Sequence, residues 1–497
     1  MSLKKVVENL PGYNKLVLPW HWLQAVHASR RYHHPAKRLR VIAVTGTNGK
    51  TTTCFMIWKM LVETGYKAGL LTTVGWSEDG ETIHRQYEHM TTERVDILNQ
   101  RMRAVADAGS DFLVLEVTSH ALAQYRTWGV PIEVAVFTNL THEHLDYHGN
   151  MKNYRKAKLK LFKKAEFGVV NADDKNANYF VNACGAEHVM TYGIDRGDIR
   201  ATDIQLNSFG VDYTCVDASL LRTRAKTSAA KVDAPAKSNL TIETQIPGRF
   251  NVYNSLAAVA VGKHLGLKND QIENGIHALE SVEGRMSRID EGQDFGVIVD
   301  YAHTPDALEK VFASVQSSLE RQAAELAKQR SKPTEPLIIP AQLPEMKAAT
   351  VKAPKKPRAK SKAAEPNQPT GRVISVHGGA GRRDESTRSM RGRILGKYSD
   401  IVIITEDDSR DEDPRKIAEQ IVEGVENSGK LMGRDLFTEL NRKEAIRLAF
   451  QMAEPGDLVL ILGKGHEKTI LRADGPHKFE DVKVATELLR ELKSKNN

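Results

Sequence analysis

The sequence predicts an α/β chain of two domains: a P-loop-type central domain on a mostly parallel sheet, then a Rossmann-like α/β C-terminal domain. Three observations carry that prediction. Buried-strand runs alternate with helical periodicity in two separate series, and a glycine-rich turn ending in Lys50 joins the first strand to the first helix. The chain, at 497 residues, is also too long for a single core.

Taken in order, a short basic segment fills residues 1–37. The central series reads Leu39–Thr45, Phe112–Val117, Val134–Asn139 and Gly168–Ala172 as strands, and Lys50–Thr64, Val95–Ala108 and Lys152–Lys164 as helices. This alternation fits parallel strands covered by helices. A second series begins near Val297 and includes strands Val373–Val376, Ile401–Thr405 and Leu458–Leu462, with helices Pro414–Glu426 and Lys443–Ala453. The boundary falls near Gly284–Arg288, giving a central domain over 38–285 and a C-terminal domain over 286–497. Residues 331–368 break the pattern, being rich in Lys, Ala and Pro. They read as a flexible insertion, a solvated spacer ahead of an electrostatic tether.

Composition excludes several classes. Cys54, Cys184 and Cys215 lie far apart and form no CxxC pair, which argues against a disulfide framework or a zinc ribbon. There is no apolar run long enough to span a bilayer and no signal-peptide core, so a cytoplasmic protein is expected. The net charge is +8, but residues 1–40 and 328–370 each carry +7, leaving −6 for the rest. A basic groove for nucleic acid is therefore not expected.

The sharpest local signal is Gly46-Thr47-Asn48-Gly49-Lys50-Thr51-Thr52, which follows a strand and opens a helix. Glycines let the backbone turn tightly and aim N–H groups at phosphate oxygens, and the helix N-terminus adds partial positive charge. Lys50 is placed to reach the outer phosphates and Thr51 to bind Mg²⁺. The loop departs from the common GxxxxGK[ST] spacing, since Val44 stands where its first glycine is expected.

Further segments then follow in a fixed order. They are Glu116-Val-Thr-Ser119-His120-Ala-Leu, Phe137-Thr-Asn139-Leu-Thr-His-Glu143-His144-Leu-Asp146-Tyr-His148, Met151-x-x-Tyr154-x-x-Ala157-Lys158 and Asn171-Ala-Asp173-Asp174. Gly248-Arg-Phe250-Asn251-x-x-Asn254, Asp300-Tyr-Ala-His303-Thr-Pro305-Asp306 and Gly463-Lys-Gly-His466-Glu467 complete the set. With the TGTNGKTT loop, this series resembles the Mur ligase family, over roughly residues 38–497 without the insertion.

The resemblance implies an ATP-dependent ligase. Such an enzyme phosphorylates a substrate carboxylate to an acyl phosphate, which an amine then attacks through a tetrahedral intermediate. The protein holds two anions together and neutralises developing charge. The implied catalytic set is Lys50, Glu116, His144 and Lys158. Thr51, Glu116 and His144 are the expected Mg²⁺ ligands, and a CO₂-derived carbamate on Lys158 is a further metal-facing anion. From the residue alone, Lys158 reads as a solvated helix lysine and His144 as structural. Asn251 is expected near the adenine. Asp300 and His303 are expected at the hinge into the C-terminal domain, with Arg285 contacting nucleotide from the same hinge.

Within the family, the resemblance points to the branch that adds the third residue of the peptidoglycan stem peptide. Thr91, Thr92, Thr118, Gln124 and Arg126 match its muramoyl-dipeptide positions, and Arg126 suits a carboxylate or phosphate. Gly379-Ala-Gly-Arg382-Arg383-Asp384 resembles its G-x-G-G-D-R-D loop, which implies that Arg383 meets the incoming diamino acid. Thr405-Glu-Asp407-Asp408-Ser409-Arg410 stands where the branch carries T-D-D-N-P-R. An Arg at the Arg410 position implies meso-diaminopimelate, since its guanidinium forks onto a distal carboxylate. Gly463 and Glu467 complete the implied pocket, with Glu467 facing an ammonium. The departures are Asp408-Ser409 for Asn-Pro, Glu143 for Asp, Ser287 for an acidic residue, and Arg382 for Asp.

Fewer than forty residues precede the first strand, where this branch normally carries a domain that grips uridine diphosphate. They include Leu18-Pro-Trp20-His-Trp22-Leu and Arg30-Arg31. A short helix packed on the central domain explains them, ahead of a membrane-interface element. The expected partners are small molecules, the muramoyl-dipeptide nucleotide and an amino acid, with the protein a monomer. Two readings stay open beside this one. One is the same chemistry with L-lysine or on another acceptor, lipid-linked or folylpolyglutamate-type; the other is a non-catalytic nucleotide binder.

Overall fold

The computed structural model describes residues 17–85, 91–206, 210–217, 239–330 and 371–496. The insertion expected at 331–368 lies outside them, as do residues 1–16.

Two sheets organise these residues. The larger has eleven strands, in the order β11-β10-β9-β8-β7-β6-β1-β5-β2-β3-β4. Their ranges are β1 Arg40–Thr45, β2 Ala68–Leu71, β3 Gly75–Ser77, β4 His84–Arg85, β5 Phe112–Glu116 and β6 Ile132–Phe137. Then come β7 Ala165–Asn171, β8 Val189–Gly193, β9 Ile199–Leu206, β10 Val211–Asp217 and β11 Leu240–Thr244. From β2 to β9 neighbouring strands run parallel, and antiparallel strands extend both edges. β1 and β5 are buried along nearly their whole length, which explains their continuous apolar text. β11 is half-buried and alternates buried with exposed residues.

Two cores cover the faces of this sheet. One packs the helices Lys50–Glu63 and Phe250–His264 against residues such as Ile42, Val114 and Val136. The other packs the helices Val95–Asp107 and Met151–Phe162 against Ala43, Leu113 and Phe137.

The second sheet has six strands, in the order β12-β13-β17-β14-β15-β16. They are β12 Ser287–Arg288, β13 Gly296–Asp300, β14 Val373–Gly379, β15 Ile401–Glu406, β16 Leu436–Thr438 and β17 Leu458–Leu462. All but β12 are parallel. A small hairpin, β18 Thr469–Arg472 and β19 Gly475–Lys478, lies beside it. In both sheets the C-terminal ends of the parallel strands open onto one crevice, where an open α/β sheet binds its ligands. β1, β5 and β6 deliver the phosphate loop, Glu116 and Asn139; β13, β14, β15 and β17 deliver Asp300, the Arg383 loop, Asp407 and Gly463.

Candidate functional site

The crevice encloses about 820 Å³ and is lined from both sheets. Its floor is the turn after β1. Gly49 has φ +84°, and a Cβ there would sit 2.3 Å from Asn254 Oδ1, so the backbone passes where no other residue fits. Asn139 grips the loop: its carbonyl accepts from Thr47 N at 2.8 Å and its Oδ1 from Asn48 N at 2.9 Å. Lys50 Nζ donates to the Thr47 carbonyl at 2.7 Å, curling its ammonium over the loop.

Beside the loop, one carboxylate collects three donors. Glu116 Oε2 accepts from Thr51 Oγ1 at 3.0 Å, Thr73 N at 3.0 Å and Thr73 Oγ1 at 2.9 Å. Arg285 Nη2 reaches Thr51 Oγ1 at 3.2 Å from the inter-domain segment, its guanidinium over the Tyr301 ring. Glu143 stands between His144 and His303, with Oε1 3.5 and 3.6 Å from their Nε2 atoms. Burial opposes the charge of Glu143, but the two histidines and Lys50 outweigh it and hold the carboxyl below its ordinary range. The Glu-for-Asp departure therefore leaves an anion in place. Burial depresses His144, against the pull of Glu143.

Lys158 overturns the solvated-lysine reading. It is 1% exposed. Its Nζ donates to the Gly46 carbonyl at 2.6 Å, beneath the phosphate loop and not among the residues lining the crevice. Burial, and then the nearby Lys50, pull its pKa well down.

These groups fit a hard divalent cation. Thr51 and Glu116 offer oxygen, His144 offers an imidazole nitrogen, and the Thr141 hydroxyl is buried on the same wall without a hydrogen-bond partner among the described residues. A buried amine whose pKa is pulled down fits carbamylation, because only the free base attacks CO₂.

On one side of this centre lie the acceptor-side candidates. Thr92 Oγ1 donates to the Glu116 carbonyl at 3.1 Å and accepts from Thr118 N at 3.0 Å. Arg126 donates to the Thr92 carbonyl and, with Nε and Nη2, to Gln124 Oε1 at 3.1 and 2.6 Å. Thr91, Thr92, Thr118 and Arg126 line the crevice, whereas Gln124 supports Arg126 from behind. On the nucleotide side, Asn251 donates to the Pro247 carbonyl and accepts from Asn254, and both line the crevice. Asp300 accepts from Met286 N and Ala302 N and so fixes the inter-domain turn; burial raises its pKa, against the pull of Arg285.

The far end is charged. Arg383 and Arg410 line it together, and burial followed by Arg383 depresses Arg410. Arg410 has φ +54° and donates to the Gly381 carbonyl, so it is a fixed residue and not a solvated one. Ser409 is buried behind it, outside the lining.

Sequence reasoning missed Lys464. Fully buried, its ammonium contacts Asp407 at 3.2 Å, Asp408 at 2.8 Å and Glu467 at 2.7 Å. Glu467, expected to face an ammonium in the amino-acid pocket, contacts the protein's own Lys464. The three carboxylates lie close enough to share a cation, and Lys464 is that cation. Burial disfavours its charge, yet the acids more than compensate and raise its pKa. Arg382, which stands where the branch carries Asp, is paired through two bonds to Asp411. Thr73 was also missed, since a lone threonine between strands carries no motif.

This combination of fold and loop matches known families. Residues 44–262 match the Mur ligase middle domain and residues 352–465 the Mur ligase, glutamate ligase domain. The chain belongs to the Mur ligase family. Among its relatives, a UDP-N-acetylmuramoyl-L-alanyl-D-glutamate--2,6-diaminopimelate ligase of Syntrophomonas wolfei is 35% identical over 472 residues, covering 94% of this chain and 81% of that one. A UDP-N-acetylmuramyl-tripeptide synthetase of Roseiflexus is 34% identical over 483 residues with the same coverage. A solved structure of a UDP-N-acetylmuramoyl-L-alanyl-D-glutamate--2,6-diaminopimelate ligase superposes with a TM-score of 0.55 at 26% identity, over 92% of this chain and 79% of that one. A Mycobacterium tuberculosis folylpolyglutamate synthase shares the fold, with a TM-score of 0.63 at 15% identity, over 95% of this chain and 94% of that one.

Proposed function

We propose that the protein joins a diamino acid, meso-diaminopimelate, to UDP-N-acetylmuramoyl-L-alanyl-D-glutamate at the expense of ATP, releasing ADP and phosphate. The observation that carries this reading is that one crevice holds the phosphate loop at its floor, a carboxylate-imidazole cluster beside it and two arginines at its far end. The names of the relatives agree with that order.

The backbone N–H groups of the loop and Lys50 hold the nucleotide phosphates, and Asn251 lies by the base. Thr51, Glu116 and His144 would hold a Mg²⁺ ion, with a carbamate on Lys158 as a further anion, and that ion would supply charge neutralisation during phosphoryl transfer. Arg126, fixed by Gln124 and Thr92, orients the acceptor so that its free carboxylate takes the γ-phosphoryl group. The bond to ADP breaks as the acyl-phosphate bond forms. The amine of the incoming amino acid then attacks the acyl carbon, loses a proton, and inorganic phosphate leaves. Arg410 and Arg383 hold the carboxylates of that amino acid, and Glu467 its distal ammonium.

The test is phosphate release by the purified protein with ATP, Mg²⁺ and the muramoyl-dipeptide nucleotide, adding amino acids singly. Release with meso-diaminopimelate alone is expected. Release with L-lysine instead keeps the ligation and removes the role given to Arg410; no release with any amine removes the acceptor.

A further inference from the structure

One face of the molecule is built for contact and plays no part in ligation. The helix Leu18–Arg31 turns Ala25, Ala28 and Ser29 inward, with Ser29 against Gly129. It leaves Trp20, Trp22 and Leu23 61%, 42% and 52% exposed. At helical spacing Trp20, Leu23, His27, Arg30 and Arg31 form one outward stripe, and each is exposed.

At the edge of the helix next to the central domain, a second apolar and basic cluster begins. Trp22 meets Trp128 edge-on, with ring centroids 6.4 Å apart. Trp128, with Leu122, Tyr125, Ile132 and Leu161, lines a second cavity of about 180 Å³. Lys160, Lys163 and Lys164 stand around that cavity, and Lys160 Nζ lies 5.0 Å from the centre of the Tyr125 ring. Arg30, Arg31, Lys163 and Lys164 make no ion pair with a carboxylate among the described residues, although the chain outside its two basic segments is net acidic.

Exposed tryptophans and leucine ringed by unpaired cations are a poor match for a second copy of this chain, because a two-fold contact would oppose like charges. They match a surface with phosphates above an apolar layer. We propose that this face binds an anionic phospholipid bilayer, with Trp20 and Leu23 entering the headgroup layer and the arginines and lysines contacting lipid phosphates. Among the described residues no helix is long and apolar enough to cross a membrane, so the contact is peripheral. Gln124 and Arg126 flank Tyr125, so the docked face is the outer side of the turn whose inner side forms the acceptor end of the crevice. The inference does not depend on which acceptor the enzyme uses.

The experiment is co-sedimentation of the full chain with vesicles of phosphatidylglycerol mixed with phosphatidylcholine, against vesicles of phosphatidylcholine alone. Binding to the mixed vesicles that weakens as salt rises is expected. The double variants Trp20→Ser/Leu23→Ser and Lys163→Glu/Lys164→Glu should each lose about tenfold or more in partitioning. A melting temperature unchanged in both shows that the variants fold. Equal binding to both vesicle types, or variants that bind as the unaltered chain does, would overturn the proposal. So would a self-association abolished by Trp20→Ser without vesicle binding, or single-stranded RNA bound more tightly than the mixed vesicles.

Discussion

Lys50 donates to the Thr47 carbonyl at 2.7 Å, an internal bond that a phosphate oxygen would replace with a stronger, charge-assisted one. Removing the ammonium leaves the fold intact and takes away charge stabilisation at the transferring group. Lys50→Ala is therefore expected to lower kcat about 10²–10³-fold in phosphate-release assays, with an unchanged melting temperature. Full activity would remove the loop from catalysis. Lys158 gives a pH test. Its pKa is depressed by burial and by Lys50, so the free amine persists at pH values where an exposed lysine is protonated. Carbamylation, followed by ¹³C NMR with labelled bicarbonate, should appear as pH rises through that lowered pKa. The unfolded chain keeps the proton over the same interval, so this residue makes the fold gain stability as pH rises towards the ordinary lysine value. Lys158→Ala should lose ligation and regain part of it with short carboxylic acids. Arg410→Ala should raise KM for a diamino acid bearing a distal carboxylate about 10–100-fold, from the loss of a charged hydrogen bond, and leave KM for ATP unchanged.

The predicted helices and strands of the central and C-terminal series match the structure to within a few residues. Pro414–Glu426 agrees at both ends, because Pro414 sits in the first turn and Asp413 caps it through Arg415 N. The antiparallel extension β9–β11 escaped the sequence reading. β9 mixes buried and exposed residues irregularly, so no clean period of two survives there; β10 alternates buried with partly buried residues, but a register shift interrupts its pairing with β9 between Asp212 and Thr214. At the ends of β15 and β17 a buried network holds Lys464 among Asp407, Asp408 and Glu467. Breaking such a network leaves unpaired buried charge. Lys464→Met is expected to cost about 3–5 kcal/mol in chemical denaturation. The deficit should shrink on acidification, because protonated carboxylates no longer need the ammonium. A variant as stable as the parent at neutral pH would show that Lys464 does not hold the cluster together.

Across the whole molecule, the two sheets meet at few but specific polar contacts. Asn48 of the phosphate loop donates from Nδ2 to Asp306 Oδ2 at 2.7 Å, and Lys310 Nζ reaches the same oxygen at 2.8 Å. Arg285 bridges from the inter-domain turn to Thr51. A loop that binds phosphate is thus tied to the domain carrying Arg383 and Arg410. Asp306→Ala should lower kcat/KM for ATP about tenfold, the scale of one charged hydrogen bond, with little change in melting temperature. An unchanged kcat/KM would separate domain closure from the loop.

The sequence by itself determined the two α/β series, the phosphate loop and the order of its motifs, because these rest on local properties: periodicity, glycine at a turn that excludes Cβ, and a lysine following it. It also marked Glu116, His144, Arg383 and Arg410 for one site. Only the tertiary structure decided which charges are free. Lys158 changes from a solvated residue to a buried amine because the phosphate loop covers it. Arg382 is neutralised by Asp411, 29 residues away. Glu467 meets Lys464 and also lines the crevice, and Gln124 supports Arg126 without entering the crevice. Charge, pKa and exposure depend on what lies within a few ångströms in space. That neighbourhood is assembled from strands and turns far apart in the chain, so residue spacing does not encode it.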